Sequence, residues 1–128
     1  LLTRRAREKS FAGTWENSGG AALAGETSRQ AVARELFEET GIRAQEGEFE
    51  FLDTDMERNI FYDHYCLRRT LRLKDVVLQP GETDGVMWAS FARVHWMMRT
   101  GRICKIIARQ FRRQEKALRM RNINKRSR

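Results

Sequence analysis

Glu35, Glu38 and Glu39 lie within five residues of one another, with Arg34 directly ahead of them. On a helix these four side chains share one face, within an arc of about 140°. Glu35 with Glu38 and Glu35 with Glu39 are then like-charged neighbours, an arrangement that weakens a helix. Only Arg34 offsets the repulsion locally. A divalent cation would offset it better, and a cluster of hard carboxylate oxygens suits Mg²⁺ or Mn²⁺ rather than zinc. An acidic helix face can also be no more than a solvated surface.

The elements around the glutamates favour the chemical reading. The spacing predicts a helix over Thr27–Thr40, with Thr27 as its N-cap, Gln30 as the reciprocal capping partner and Gly41 as a left-handed stop. Val32, Ala33, Leu36 and Phe37 are expected to form its core-facing side. Gly19, Gly20 and Gly25 bracket the loop that runs into this helix. Glycines there let the backbone turn tightly and approach a ligand, and helix N-terminal amides favour phosphate oxygens.

Strands are expected at Leu1–Arg5, Phe11–Ser18, Glu48–Leu52, Ile60–Leu73 and Val86–Ala89. Arg7–Ser10 and Gln79–Glu82 read as turns. Two further helices are expected, Phe91–Arg99 and Ile103 to about Arg121, the last fraying beyond about Met120. This mixture predicts an α/β domain.

The 128 residues suffice for one domain with a real core, 41% of them apolar and 33% charged. No run of apolar residues is long enough to span a membrane. Cys66 and Cys104 form neither a disulfide framework nor a zinc site, and a reducing, cytoplasmic setting is the default expectation. The net charge of +8 is concentrated: residues 99–128 hold twelve Lys and Arg residues against the single acid Glu115. Such a basic helix and tail, residues 102–128, could bind nucleic acid or remain a solvated helix end.

Residues 20–42 run Gly20, five residues, Glu26, seven residues, Arg34-Glu35-Leu36, one residue, Glu38-Glu39, one residue, Gly41-Ile42. This resembles the box of the Nudix (MutT-like) hydrolase family at every specified position, a coincidence on the order of one in a billion by residue frequencies. Trp15, and Glu82 six residues before Trp88, add to the resemblance.

It implies an α/β/α sandwich with a mixed sheet. The box comes early enough that the chain is expected to lack N-terminal strands of the fold. The resemblance assigns Glu35, Glu38 and Glu39 to metal binding together with the Gly19 carbonyl, and Arg34 to orienting them. Glu26, Gly20 and Gly41 take supporting roles, and Glu82 is a further ligand or a general base. The implied reaction is Mg²⁺- or Mn²⁺-dependent attack of water on phosphorus in a nucleoside diphosphate derivative, with either Glu35 or Glu82 taking the proton. Arg4 and Arg5 could contact substrate phosphates, and a homodimer is implied.

Ser18, where many members carry proline, resembles a bacterial group of undefined substrate and the isopentenyl-diphosphate isomerase branch. That isomerase needs a reactive cysteine near this segment, and Cys66 and Cys104 are far along the chain. A catalytically silent domain that binds nucleotide or nucleic acid is the other alternative. His64, His95, Cys66 and Cys104 read as structural. Trp96, Met97 and Met98 read as a helix core face, and Phe51, Phe61 and Tyr62 as core strand residues.

Overall fold

The computed structural model describes residues 1–126. Strands β1 (Leu2–Arg5), β2 (Trp15–Glu16), β3 (Glu50–Glu57), β4 (Ile60–Cys66) and β5 (Thr83–Met87) accompany helices α1 (Ser28–Thr40), α2 (Phe91–Arg99) and α3 (Lys105–Arg126). The class is α/β, as expected. β1 is the middle strand of an antiparallel sheet in the order β2-β1-β5, and β3 pairs with β4 in a separate antiparallel hairpin. Among the described residues the parallel component expected of a mixed sheet is one bridge, between Trp15 and Ile103.

Leu2, Val94, Met97, Ile103 and Ala108 form the core, with Trp15, Met87, Ile107 and Phe111 packed against it. It therefore lies between the β1 sheet and the pair α2 and α3.

Several boundaries differ from the sequence reading. β4 stops at Cys66 rather than Leu73, because its partner β3 begins at Glu50, opposite Cys66, and a strand without a partner leaves its backbone unpaired. β3 extends to Glu57 although its second half alternates acidic residues. Arg58 and Asn59 connect the strands, both with positive φ (49° and 65°), as a two-residue hairpin turn requires. β5 begins at Thr83 because Arg5 pairs with it. α3 begins at Lys105 because Ile103 is held in the bridge to Trp15, and it continues helically to Arg126. Part of the expected fraying beyond Met120 thus falls on helix, and its last residues, Ser127 and Arg128, lie outside the described residues.

The buried side of α1 is also rotated from expectation. Ala31, Leu36 and Thr40 are buried, whereas Phe37 is exposed beneath the Arg43 guanidinium, 4.1 Å from its ring centre. Thr40 is buried because residues 77–83 cross the end of the helix, with the Val77 N–H donating to the Thr40 carbonyl at 2.9 Å. Phe51 and Phe61 are exposed on the hairpin rather than in the core, since no second sheet layer covers them among the described residues. Trp96 projects between the Arg93 and Arg102 guanidiniums at 4.7 and 4.9 Å, leaving Met97 as the buried residue of that trio. Cys66 and Cys104 are free and half-buried, not fully buried.

Candidate active site

α1 is held at both ends as its sequence predicts. The Thr27 hydroxyl accepts from the Gln30 N–H, the Gln30 side chain accepts from the Thr27 N–H, and Gly41 adopts φ 73°. A side chain at Gly41 would also meet Val77 Cβ at 3.1 Å. Both ends of the helix are thus fixed.

Arg34 organises that face. Its Nε and Nη2 form a fork on Glu26 at 2.8 and 3.0 Å, and Nη2 also donates to the Ala21 carbonyl at 3.0 Å. Nη1 donates to Glu35 at 2.8 Å and to Glu38 at 3.3 Å. Glu26 in turn accepts from the Leu23 N–H at 2.8 Å, which closes the glycine loop against the helix. The Arg34 bonds, then the Leu23 amide, hold the Glu26 carboxyl below its usual range. Glu26, first of all, and then Glu35 hold Arg34 firmly protonated.

The face opens into a cavity of about 360 Å³. Glu35, Glu38, Glu39 and Glu82 line it together with Gly19 and Gly20. Glu82 reaches it from the loop before β5 and forms an ion pair with Lys9. A Cβ on Gly20 would lie 2.1–2.6 Å from the Glu35 carboxylate atoms, so only glycine leaves that carboxylate its place. Burial pushes the Glu39 carboxyl up to about 7, helped by the charges of Glu16 and Glu35 and opposed by the Ser18 hydroxyl and the Gly19 amide. Glu39 Oε2 is buried without a hydrogen-bond partner.

Among the described residues no three His, Cys, Asp or Glu side chains converge as a finished metal cage. Glu35 and Glu38 are drawn to Arg34 instead. The donors are all oxygen, however, and the orphaned Glu39 oxygen is the kind of atom that a hard cation satisfies. The residues therefore fit a divalent ion.

Arg5 reaches the cavity, but Arg4 does not. Arg4 pairs with Asp84 at 2.6 Å and leans on Trp15. Arg5 donates to both Glu16 oxygens at 3.0 and 3.2 Å and to the Ser10 carbonyl at 2.6 Å. The sequence reading missed four lining residues: Lys9, Glu16, Gln79 and Thr83. Lys9 lies in the expected turn Arg7–Ser10 and Glu16 within the expected strand Phe11–Ser18, and only the pairing of β1 with β2 brings them together at the cavity. His64 and His95 lie outside the cavity, His95 bonding Glu115 at 2.9 Å.

Comparison with known proteins places this site in a family. The NUDIX domain profile matches residues 1–107. The chain belongs to the Nudix domain family. It is 52% identical over 42 residues to a Mycobacterium tuberculosis protein, in two strains, with the provisional name 8-oxo-dGTP diphosphatase 2. That stretch covers 33% of this chain and 30% of the relative. It is 47% identical over 49 residues to the CTP pyrophosphohydrolase of Escherichia coli K12, covering 38% of this chain and 36% of that protein. The matched stretch therefore spans about a third of each relative.

Proposed function

We propose that this chain hydrolyses a pyrophosphate bond in a nucleoside diphosphate derivative with the help of Mg²⁺ or Mn²⁺. The observation that carries the reading is the Arg34 fork, which sets Glu35 and Glu38 at one cavity with Glu39, whose Oε2 is buried without a hydrogen-bond partner. Glu35, Glu38, Glu39 and the Gly19 main chain would hold the cation. When bound, it supplies the positive charge that offsets charge developing on the phosphate oxygens.

The chain's own residues account for the rest. Arg34 keeps the carboxylates in register, Gly20 leaves Glu35 its place, and Gly41 stops the helix where Glu39 meets the loop. Water attacks phosphorus, the bridging P–O bond breaks, and a carboxylate takes the proton. Glu35 and Glu82 both face the cavity and can act as that acceptor. Arg5 lines the cavity but is held by Glu16 and Ser10, and Arg4 is committed to Asp84.

The relatives' names direct the first substrate panel toward nucleoside triphosphates, oxidised and normal, alongside nucleotide sugars and dinucleoside polyphosphates. Release of a mononucleotide from at least one of them, only with Mg²⁺ or Mn²⁺, is the expected result. Glu38→Gln is expected to lower kcat by about a hundredfold or more while far-ultraviolet circular dichroism stays unchanged. Full turnover by that variant, or no turnover by wild type on any substrate, would sink the proposal.

A further inference from the structure

Five carboxylates line the cavity, from Glu16, Glu35, Glu38, Glu39 and Glu82, against the side-chain cations of Arg5 and Lys9. A polyphosphate entering such a site needs positive charge beyond one divalent ion. The neighbouring arginines are already committed. Arg5 donates through Nε, Nη1 and Nη2 to Ser10 and Glu16. Arg34 is divided among Glu26, Glu35, Glu38 and Ala21.

Lys9 differs. Among the described residues its ammonium has one side-chain partner, Glu82, and that ion pair is partly open to solvent. Its backbone is fixed, because the Lys9 N–H donates to the Ala6 carbonyl at 3.0 Å and the Ala6 N–H donates to the Glu82 carbonyl at 3.0 Å. The turn that carries Lys9 and the loop that carries Glu82 are therefore tied together at the cavity edge. A lysine side chain on a fixed turn can swing between two anions, since its three donors impose little orientation.

We infer that Lys9 is a phosphate-binding residue of this site: substrate phosphate draws its ammonium from Glu82, which leaves the Glu82 carboxylate free inside the cavity. The inference rests on the pyrophosphatase reading above. It adds the phosphate contact that neither Arg4 nor Arg5 is free to make.

The test is calorimetric titration of the Mg²⁺-loaded protein with inorganic pyrophosphate, beside steady-state kinetics on whichever nucleotide wild type cleaves. Lys9→Met is expected to weaken pyrophosphate binding about tenfold or more and to raise KM by a similar factor. Its kcat is expected to stay within about threefold of wild type, because Glu82 is then permanently free. Lys9→Arg keeps the charge and is expected to recover most of the affinity. Arg7→Met removes an exposed charge from the same turn, outside the cavity, and is expected to change nothing.

Pyrophosphate bound equally well by Lys9→Met and wild type would overturn the assignment while leaving the hydrolase reading intact. So would an equal loss in Lys9→Arg and Lys9→Met, which would make Lys9 a matter of turn geometry. A wild-type protein that neither binds pyrophosphate nor cleaves any nucleotide would overturn both.

Discussion

Arg34 and Gly20 act on the same carboxylate in opposite ways. Arg34 attracts Glu35 by a 2.8 Å bond, and Gly20 supplies the empty space into which it is drawn. A methyl group at residue 20 would clash with the Glu35 carboxyl carbon, which lies 2.1 Å from the new Cβ, and would displace the carboxylate. Gly20→Ala is therefore expected to lower kcat/KM by about a hundredfold, because a misplacement of an ångström in a positioned group has that scale of effect. Gly20 lies in an exposed loop and does not show the positive φ of Gly41, so its melting temperature is expected to move little. Parallel thermal melts and kinetics would check this; a large drop in melting temperature would mean that residue 20 serves the fold instead. The value of Gly20 is room rather than backbone freedom, a distinction the sequence motif cannot make.

At the scale of elements, the hairpin and the last helix explain where the basic charge goes. Arg109 pairs with Asp55 and Glu57, Arg113 with Asp53 and Asp55, and Arg121 with Glu50. These arginines neutralise a strand whose acidic residues would otherwise repel one another, so part of the basic tail is matched within the chain. Glu115 belongs to a separate cluster on α3. The bond from His95, and then that from Arg119, hold its carboxyl below the usual 4.5. The folded state thus gives up this proton more readily than the unfolded chain. The resulting stabilisation is fully present above about pH 4.5 and is lost as pH falls through the lowered value. Glu115→Gln is expected to flatten the fall in chemical-denaturation midpoint between about pH 5 and pH 3. An unchanged acid profile would show that the contact contributes nothing to folding.

Across the whole molecule, legibility followed the range of the interactions. The caps of α1 and its glutamate cluster were readable because each depends on residues no more than four apart in the chain. The hairpin turn at Arg58-Asn59 was not, since neither residue is the glycine that usually marks such a turn. Lys9 and Glu16 were missed because they become site residues only through strand pairing. Trp96 and Phe51 were placed wrongly because an apolar side chain does not reveal whether a second layer covers it. The core trio was partly readable, and Met97, 1% exposed, is its anchor. Met97→Ala is expected to cost about 2–5 kcal/mol in urea denaturation, and a cost well under 1 kcal/mol would show that the core closes over the gap. One feature of the sheet also bears on the order of assembly. β3 and β4 join through two residues, whereas Leu2 pairs with Met87 from the far side of both the hairpin and α1. Pairings that close such long loops are slow to form. The helix bearing the glutamates and the hairpin can therefore take shape while synthesis is still in progress. The cavity waits for β5 to leave the ribosome and find β1, so the site is assembled late in the life of the chain and comes apart when that pairing opens.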